Sequence, residues 1–558
     1  MSTLAELFPA GGGKTANFTA DGAIASGKPV RLNSDGTISE ISSSSESASF
    51  PLGSSTEIIA SSSVTGTLDD MYILADPFNH NRWLMVWFEN QSNATDYTKC
   101  RFITRSNNSL TLGTERTIFS GGGNNDDRPG ATICWCTHTA NQFLIGHCMD
   151  TSGGHRGSMT LVTVSSSGTD PTISVGSPYR WTTDQVGVSR DTFIPIGTTG
   201  KYIMINGTGG NSGANANIFT VTGTTITKSS TTELFARAVP AGACGFAINP
   251  WDTTKGVAIG VPSSGSSFYV RPFTLDGTTI TMGTERQLYY DWQTTYKYGT
   301  EGVPHVSYVS EDQIYITLYM YETDIGTYQT QAQKYYKFWH STIGEMNSAG
   351  TEFDNITGED GTWTGWTPDW VDSNTSESTF AHTSISPNTP KTVVGAYVHA
   401  PYNETGYIRA RVGTVNTANN TVSYGTDTQM DSSYEAGYTT QNELYASMSH
   451  GEGGYFLIMW KANNGSGYVR LGKAGGTYSN YQDLMTGAGG HIGIANAAIS
   501  DGASGGVTLK GGIVTSLSNL TIGTDYYLQT DGSVGTTATA FKLGRALSAT
   551  TIDLEYQS

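Results

Sequence analysis

Val30-Arg31-Leu32-Asn33-Ser34-Asp35-Gly36-Thr37-Ile38 is matched in pattern, position for position, by Tyr526-Tyr527-Leu528-Gln529-Thr530-Asp531-Gly532-Ser533-Val534 near the other end of the chain. Each stretch reads as a strand, an Asp-Gly turn and a returning strand. A second match follows the first: Ile492-Gly493-Ile494-Ala495 parallels Leu543-Gly544-Arg545-Ala546. Val534 and Leu543 are nine positions apart (543 − 534), whereas Ile38 and Ile492 are 454 apart (492 − 38). This spacing predicts one small β module, internally duplicated and barrel-like, with a large domain inserted into its first half. The module takes residues 1–50 and 487–558, and the insert residues 55–486. Residues 1–22 read as an extended arm, and the Ser-rich stretch 42–50 as a linker at the start of the insert.

The insert repeats. A hydrophobic strand recurs as Trp83–Val86, Phe143–Ile145, Tyr202–Ile205, Val257–Ile259, Ile314–Ile316, Val393–Ala396 and Phe456–Met459, mostly about 55–75 residues apart. Further along some units comes a more specific mark, Leu110-Thr111-Leu112-Gly113-Thr114-Glu115-Arg116 and Ile280-Thr281-Met282-Gly283-Thr284-Glu285-Arg286, with weaker copies such as Val422-Ser423-Tyr424-Gly425-Thr426-Asp427. Between them lie strands of alternating character, such as Ser158–Val164, and alternation at period two means half-buried strands. Four antiparallel strands per unit, seven units and no helical periodicity predict a seven-bladed β-propeller. Radial closure lets so many strands coexist without open edges. No Trp-Asp repeat and no kelch double glycine recurs.

Composition agrees with an all-β chain. Of 558 residues 68 are Gly, 30 Tyr, 19 Phe and 11 Trp, and only 14% are charged, which is far from a disordered composition. The net charge of −18 and the absence of a basic run argue against nucleic acid as a partner. No stretch approaches the ~20 apolar residues that span a membrane, so no membrane insertion is expected. The first residues, MSTLAELFPAGGGK, lack the pattern of a secretory signal. Five cysteines form no disulfide framework.

Several residue groups could carry chemistry. Cys134, Cys136 and His138 alternate along one expected strand, with His147 and Cys148 on the next. A zinc site needs about four converging N or S ligands. No Cys-x-x-Cys pair exists and His147 and Cys148 face opposite ways, so these residues read as core, with no metal and no cofactor expected. Glycan hydrolysis needs two carboxylates roughly 5–10 Å apart. Asp126, Asp127, Asp184, Asp191, Glu301, Asp360 and Asp369 are available, but no pair has a recognisable spacing, and they read as solvated loop acids. Nucleophile elbows and phosphate loops are missing. Two loops are dense in aromatic and polar residues. One holds Trp363, Trp366 and Trp370 with Asp360; the other holds Tyr290, Trp292 and Tyr298. Aromatic faces beside polar groups suit sugar binding, the ring covering C–H faces while the polar groups take hydroxyls. The alternative is packing between blades or subunits.

The C-terminal stretch from Ile492 to Leu554 resembles the small β modules of tailed-bacteriophage virion appendage proteins, that is fibres, adhesins and decoration proteins. The residues carrying the likeness are Ile492-Gly493-Ile494-Ala495, Gly505–Leu509, Leu520–Tyr527, Asp531-Gly532 and Gly544–Thr551, together with Gly27–Ile38 at the other end. The resemblance covers about 100 residues, leaves the insert uncovered and carries over no catalytic residue. It implies a non-enzymatic virion protein, made in the host cytoplasm and released by lysis. The module would mount it on other virion proteins and could assemble as a homo-oligomer. The insert would attach to host surface polysaccharide or another receptor. A purely structural decoration or connector role and a glycan depolymerase are the alternatives.

Overall fold

The structure is a computed structural model. It describes residues 14–33, 36–64, 67–90, 96–121, 131–149, 156–165, 168–180, 185–186, 193–207, 214–235, 239, 244–261, 267–289, 305–324, 334–356, 381–385, 391–399, 407–431, 444–449, 454–462, 465–479, 481, 491–529, 531–539 and 541–557. The described residues are all-β and antiparallel, with a short 3-10 turn at Ser61–Ser63. It forms two compact units. One joins Met1–Glu46, Gly451–Gly453 and Gly476–Ser558; the other joins Ser47–His450 and Gly454–Gly475.

The first unit is built from the matched termini. The turn glycines Gly36 and Gly532 have φ of +87° and +80°, a region only glycine enters without strain. Their N–H groups donate to Asn33 O at 3.1 Å and Gln529 O at 2.9 Å. Asp35 lies outside the described residues. Asp531 accepts from Ser533 N at 2.9 Å, which pins the second turn. Each turn opens a five-stranded sheet. The first runs in the order Thr15–Thr19, Ser504–Leu509, His491–Ala495, Pro29–Leu32, Ile38–Glu40. The second runs Ile513–Val514, Ile552–Gln557, Lys542–Ala546, Asp525–Leu528, Val534–Gly535. The orders correspond strand for strand, and so do the registers. Val30 faces Gly493 as Tyr526 faces Gly544, with a bulge just beyond in both. Gly493 faces Leu509 as Gly544 faces Leu554. A Cβ at Gly493 or Gly544 would sit 2.1 Å from Thr508 O or 1.7 Å from Asp553 O, which explains the shared glycine of the second motif. The two sheets are called here the first and second modules. In the first, Ala20 bridges in parallel to Ile38, bringing the two edge strands together.

The Ser-rich stretch 42–50 is not a loose linker. Ser43–Glu46 pairs antiparallel with Gly476–Ser479, and Ser49–Ile59 is already a strand of the second unit.

The second unit contains seven antiparallel sheets among the described residues. Each hydrophobic run noted in the sequence is the second strand of its sheet: Arg82–Asn90, Gln142–Met149, Lys201–Gly207, Lys255–Gly260, Gln313–Asp324, Thr392–His399 and Tyr455–Lys461. The runs themselves are buried on both faces, which is why they read as continuous apolar stretches. One hydrogen bond recurs in every sheet. The N–H at the end of the third strand donates to the carbonyl just before the second: Arg105 to Asn81, Val164 to Asn141, Val221 to Gly200, Leu275 to Thr254, Met346 to Asp312, Val415 to Lys391 and Ala474 to Gly454. The first strands of successive sheets lie against one another in chain order, and Leu444–Met448 of the last lies against Thr67–Ala75 of the first. The outer strand of the seventh sheet is Ser49–Ile59, supplied from before the first sheet.

The Gly-Thr-Glu-Arg mark joins neighbouring sheets. A Cβ at Gly113 would lie 2.7 Å from Thr169 O of the next sheet, and one at Gly283 would lie 2.2 Å from Thr351 O. Thr114 Oγ1 then donates to Asp170 at 2.8 Å, and Thr284 Oγ1 to Glu352 at 2.8 Å. Glycine permits the approach and threonine fastens it. The acid turns back to its own third strand: Glu115 Oε1 meets Lys99 Nζ at 2.8 Å, and Asp427, in the weaker copy, meets Arg409 at 2.5 Å.

Candidate recognition face of the seven-sheet unit

In a meander the 1–2 and 3–4 turns lie at one end of the sheet. The 2–3 turn and the link to the next sheet lie at the other. The first end is tied across sheets. Lys201 Nζ donates to Gly277 O at 2.9 Å, and Gln313 Nε2 donates to Thr417 O and Asn420 Oδ1, each at 2.8 Å. Arg82, buried, donates to Asp76 at 2.7 Å and to Asn141 of the second sheet at 3.0 Å, and lies over the rings of Phe102 and Trp135. Burial pushes the Asp76 carboxyl up while Arg82 pulls it back. These contacts make a fastened plate.

Tyr290, Trp292 and Tyr298 fall in 290–304, which leads from the fourth sheet into His305–Tyr308 of the fifth. Asp360, Trp363, Trp366 and Trp370 fall in 357–380, which leads from the fifth sheet, after Phe353–Ile356, into Ala381–Ile385 of the sixth. All seven residues lie outside the described residues, as do Asp126, Asp127, Asp184, Asp191, Glu301 and Asp369. Both segments flank the fifth sheet.

The fifth sheet itself is exceptional. Its strands Gln313–Asp324 and Lys334–Met346 pair over twelve positions, from Gln313↔Glu345 to Asp324↔Lys334. The same pair of strands is matched over eight positions in the first, second and sixth sheets, seven in the third and seventh, and six in the fourth. All start at the residue after the recurring hydrogen bond, so the excess of four to six positions lies at the far end. At about 3.3 Å per residue it extends the ribbon by roughly 13–20 Å. Its backbone register pairs Tyr319 with Trp339, Tyr321 with Lys337, Thr323 with Tyr335, Met320 with Phe338, Glu322 with Tyr336 and Asp324 with Lys334. The sequence reading used only Ile314–Ile316 of this ribbon. Its signal was present as six aromatics at 319, 321, 335, 336, 338 and 339.

The cysteine–histidine group lies in core and sheet interfaces. Cys134 and Cys136 are buried with Leu144 and Tyr202. Burial raises both thiols, Cys136 to about 12, so they stay protonated, whereas zinc binds the thiolate. His138 Nδ1 meets Tyr202 Oη at 2.7 Å. His147 meets Thr160 Oγ1 at 3.2 Å, and its ring lies 4.4 Å from that of Phe119 in the first sheet. Burial first, and the Arg180 charge second, lower His147 to about 4.

Two described carboxylates do come together. Glu89 and Glu115 both hold Lys99 Nζ, at 2.9 and 2.8 Å, and Trp87 Nε1 donates to Glu89 at 3.0 Å. Burial pulls Lys99 down, and its bonds to Glu115 and Glu89 outweigh that and leave it above the ordinary lysine value. With the Glu89 side chain fully buried, and Lys99 and Arg101 (3.9 Å from Glu115) supplying two cations to the two carboxylates, this cluster holds strands together.

No family model and no curated protein matches the chain. Solved structures do. An oligogalacturonate lyase in complex with manganese is 10% identical, with 78% of this chain and 97% of that chain covered and a TM-score of 0.35. A putative 6-phosphogluconolactonase from Bacteroides uniformis is 10% identical, with 64% and 85% covered and a TM-score of 0.35. A subtype N10 neuraminidase-like protein of A/little yellow-shouldered bat/Guatemala is 9% identical, with 76% and 99% covered and a TM-score of 0.31. These names correct one expectation. The sequence reading set enzymatic activity aside, and that exclusion does not stand when structures similar to this chain include a lyase and a putative lactonase.

Proposed function

We propose that this chain is a virion appendage protein of a tailed bacteriophage that attaches the particle to host surface polysaccharide. In this reading the seven sheets are the blades of a seven-bladed β-propeller, and the duplicated module, barrel-like, is its mount on other virion proteins. The recurring hydrogen bond and the cyclic order of first strands support the propeller. The Ala20–Ile38 bridge supports barrel closure of the first module. The observation that carries the attachment role is the asymmetry of the two sheet ends. One is a fastened plate; from the other projects a long ribbon whose sequence is rich in aromatic residues. Loops and projections on a rigid scaffold are where binding residues concentrate. Many copies on one particle multiply weak single-site binding by about 10²–10⁴.

The test is retention of the full chain on immobilised envelope polysaccharide. Wild type should be retained. Tyr321→Ala with Trp339→Ala, or Trp363→Ala with Trp366→Ala, should cut affinity about tenfold or more, the range of a lost sugar-stacking aromatic. Unchanged retention in both double variants would remove this face as the site. Chain length of the polysaccharide is read in the same incubation, and shortening would make the face catalytic. Antibody against the chain should decorate purified particles; bare particles would sink the virion assignment.

A further inference from the structure

The two modules share a backbone but not a surface. In the first, Gly27 N–H donates to Ala495 O at 2.8 Å, and in the second Gly523 N–H donates to Ala546 O at 2.8 Å. Around this shelf the first module carries a polar row. Ser26 Oγ donates to Asn496 O at 3.4 Å. The Thr15 methyl and the Asn496 amide both lie 3.5 Å from the point where a Gly506 Cβ would be. Thr15, Asn496 and Ser26 are therefore neighbours. The common register puts Ile513, Leu547 and Ile522 at the same three positions of the second module. They are 57%, 50% and 70% exposed, and with Val175 they are the exposed large apolar side chains among the described residues.

The two shelves also differ in what covers them. A Cβ on Gly27 would meet Ser516 O at 2.8 Å and Leu517 Cδ2 at 3.4 Å, and Ser516 Oγ donates to Ala495 O at 3.4 Å. The first shelf is thus capped by the segment that follows Ile513–Val514 of the second module. Among the described residues a Cβ on Gly523 would meet nothing within 4 Å. The second shelf is the same surface, apolar and with no described segment over it.

We propose that this shelf docks the first module of a second copy of the chain, head to tail, so that modules of successive copies cover one another as the second module covers the first within one chain. The cap that fits such a shelf is another module of this build, and the chain itself supplies one. The change from a polar to an apolar row has a physical reason. Within one chain the cap is held at high effective concentration and needs little affinity. Between chains the contact must supply its own, and an exposed apolar row does so. A contact joining two different surfaces is heterologous and propagates into a ring or a filament. The inference does not depend on what the seven-sheet unit binds.

Sedimentation velocity of the full chain, from about 1 to about 100 µM, tests it. The variant combines Ile513→Thr, Leu547→Asn and Ile522→Ser, residues the first module already uses at these positions. Wild type should gain mass with concentration, and the variant should need about a hundredfold more protein to do so. A constant single-chain mass in wild type, or undiminished association in the variant, overturns the proposal. Should the triple variant fail to fold, Ile522→Lys alone, at a mostly exposed position, serves instead. A labelled Ile522→Lys chain retains its first module, so it should still join wild-type chains and terminate them. Its exclusion from wild-type assemblies would indicate a face-to-face contact and refute the head-to-tail one.

Discussion

Acid should open the interface between the first two sheets, and His147 is the group through which it acts. The ring is buried, hydrogen-bonded to Thr160 and packed on Phe119, with Arg180 as the charge that disfavours a second cation. Its folded value is about 4 against 6.5 for a free imidazole. Because the folded value is depressed, the unfolded chain binds the proton more tightly. The stabilisation is fully present above pH 6.5 and is lost as pH falls through 4. Two and a half units at about 1.36 kcal/mol each give roughly 3 kcal/mol, with a limiting slope of one proton between the two values. The assay is urea unfolding from pH 7 to pH 4 followed by tryptophan fluorescence. All eleven tryptophans lie between Trp83 and Trp460, so the signal reports the seven-sheet unit alone. His147→Gln keeps a partner for Thr160 and cannot ionise, so the difference in unfolding free energy between wild type and variant should change by about 3 kcal/mol over that range. Parallel pH profiles for the two proteins would refute the reasoning.

Two further outcomes follow from close contacts. Gly544→Ala should destabilise the second module severely, because the new methyl meets a backbone carbonyl, whereas Gly523→Ala meets no described atom and should cost only about 1 kcal/mol for its positive φ; thermal melts in near-UV circular dichroism of both variants read the contrast. Lys99→Met should cost about 3–5 kcal/mol by leaving Glu89 buried without its cation, and Lys99→Met with Glu89→Gln should recover most of that, measured by the same fluorescence titration.

The strands were legible because their environment is extreme. A strand such as Tyr202–Ile205, apolar on both faces, has no other stable reading than the middle of a sheet stack. The matched turns were legible because Gly36 and Gly532 need a backbone region that side chains avoid. What escaped depended on partners distant in sequence. Nothing in Ser43–Glu46 announces Gly476–Ser479 as its neighbour, since the bond is made by backbone and the serines are neutral to it. The fifth-sheet ribbon escaped because alternation runs on unbroken past the core, and only comparison of paired lengths between sheets exposes the excess. The Gly-Thr-Glu-Arg mark was seen as a repeat, but its contact lies in the following sheet, which spacing within one repeat cannot reveal. For the candidate site, composition singled out the aromatic links, while the ribbon between them was visible only in the register.

The outer strand Ser49–Ile59 gives the seven-sheet unit a mechanical character. The chain enters after Glu46 and leaves before Gly476, and these two passages run side by side as a bonded pair. Both continue into the seventh sheet, where Ser49 faces Lys473. The seven-sheet unit is therefore entered and left by two hydrogen-bonded strands side by side, so a load on one passage is shared through the ladder with the other.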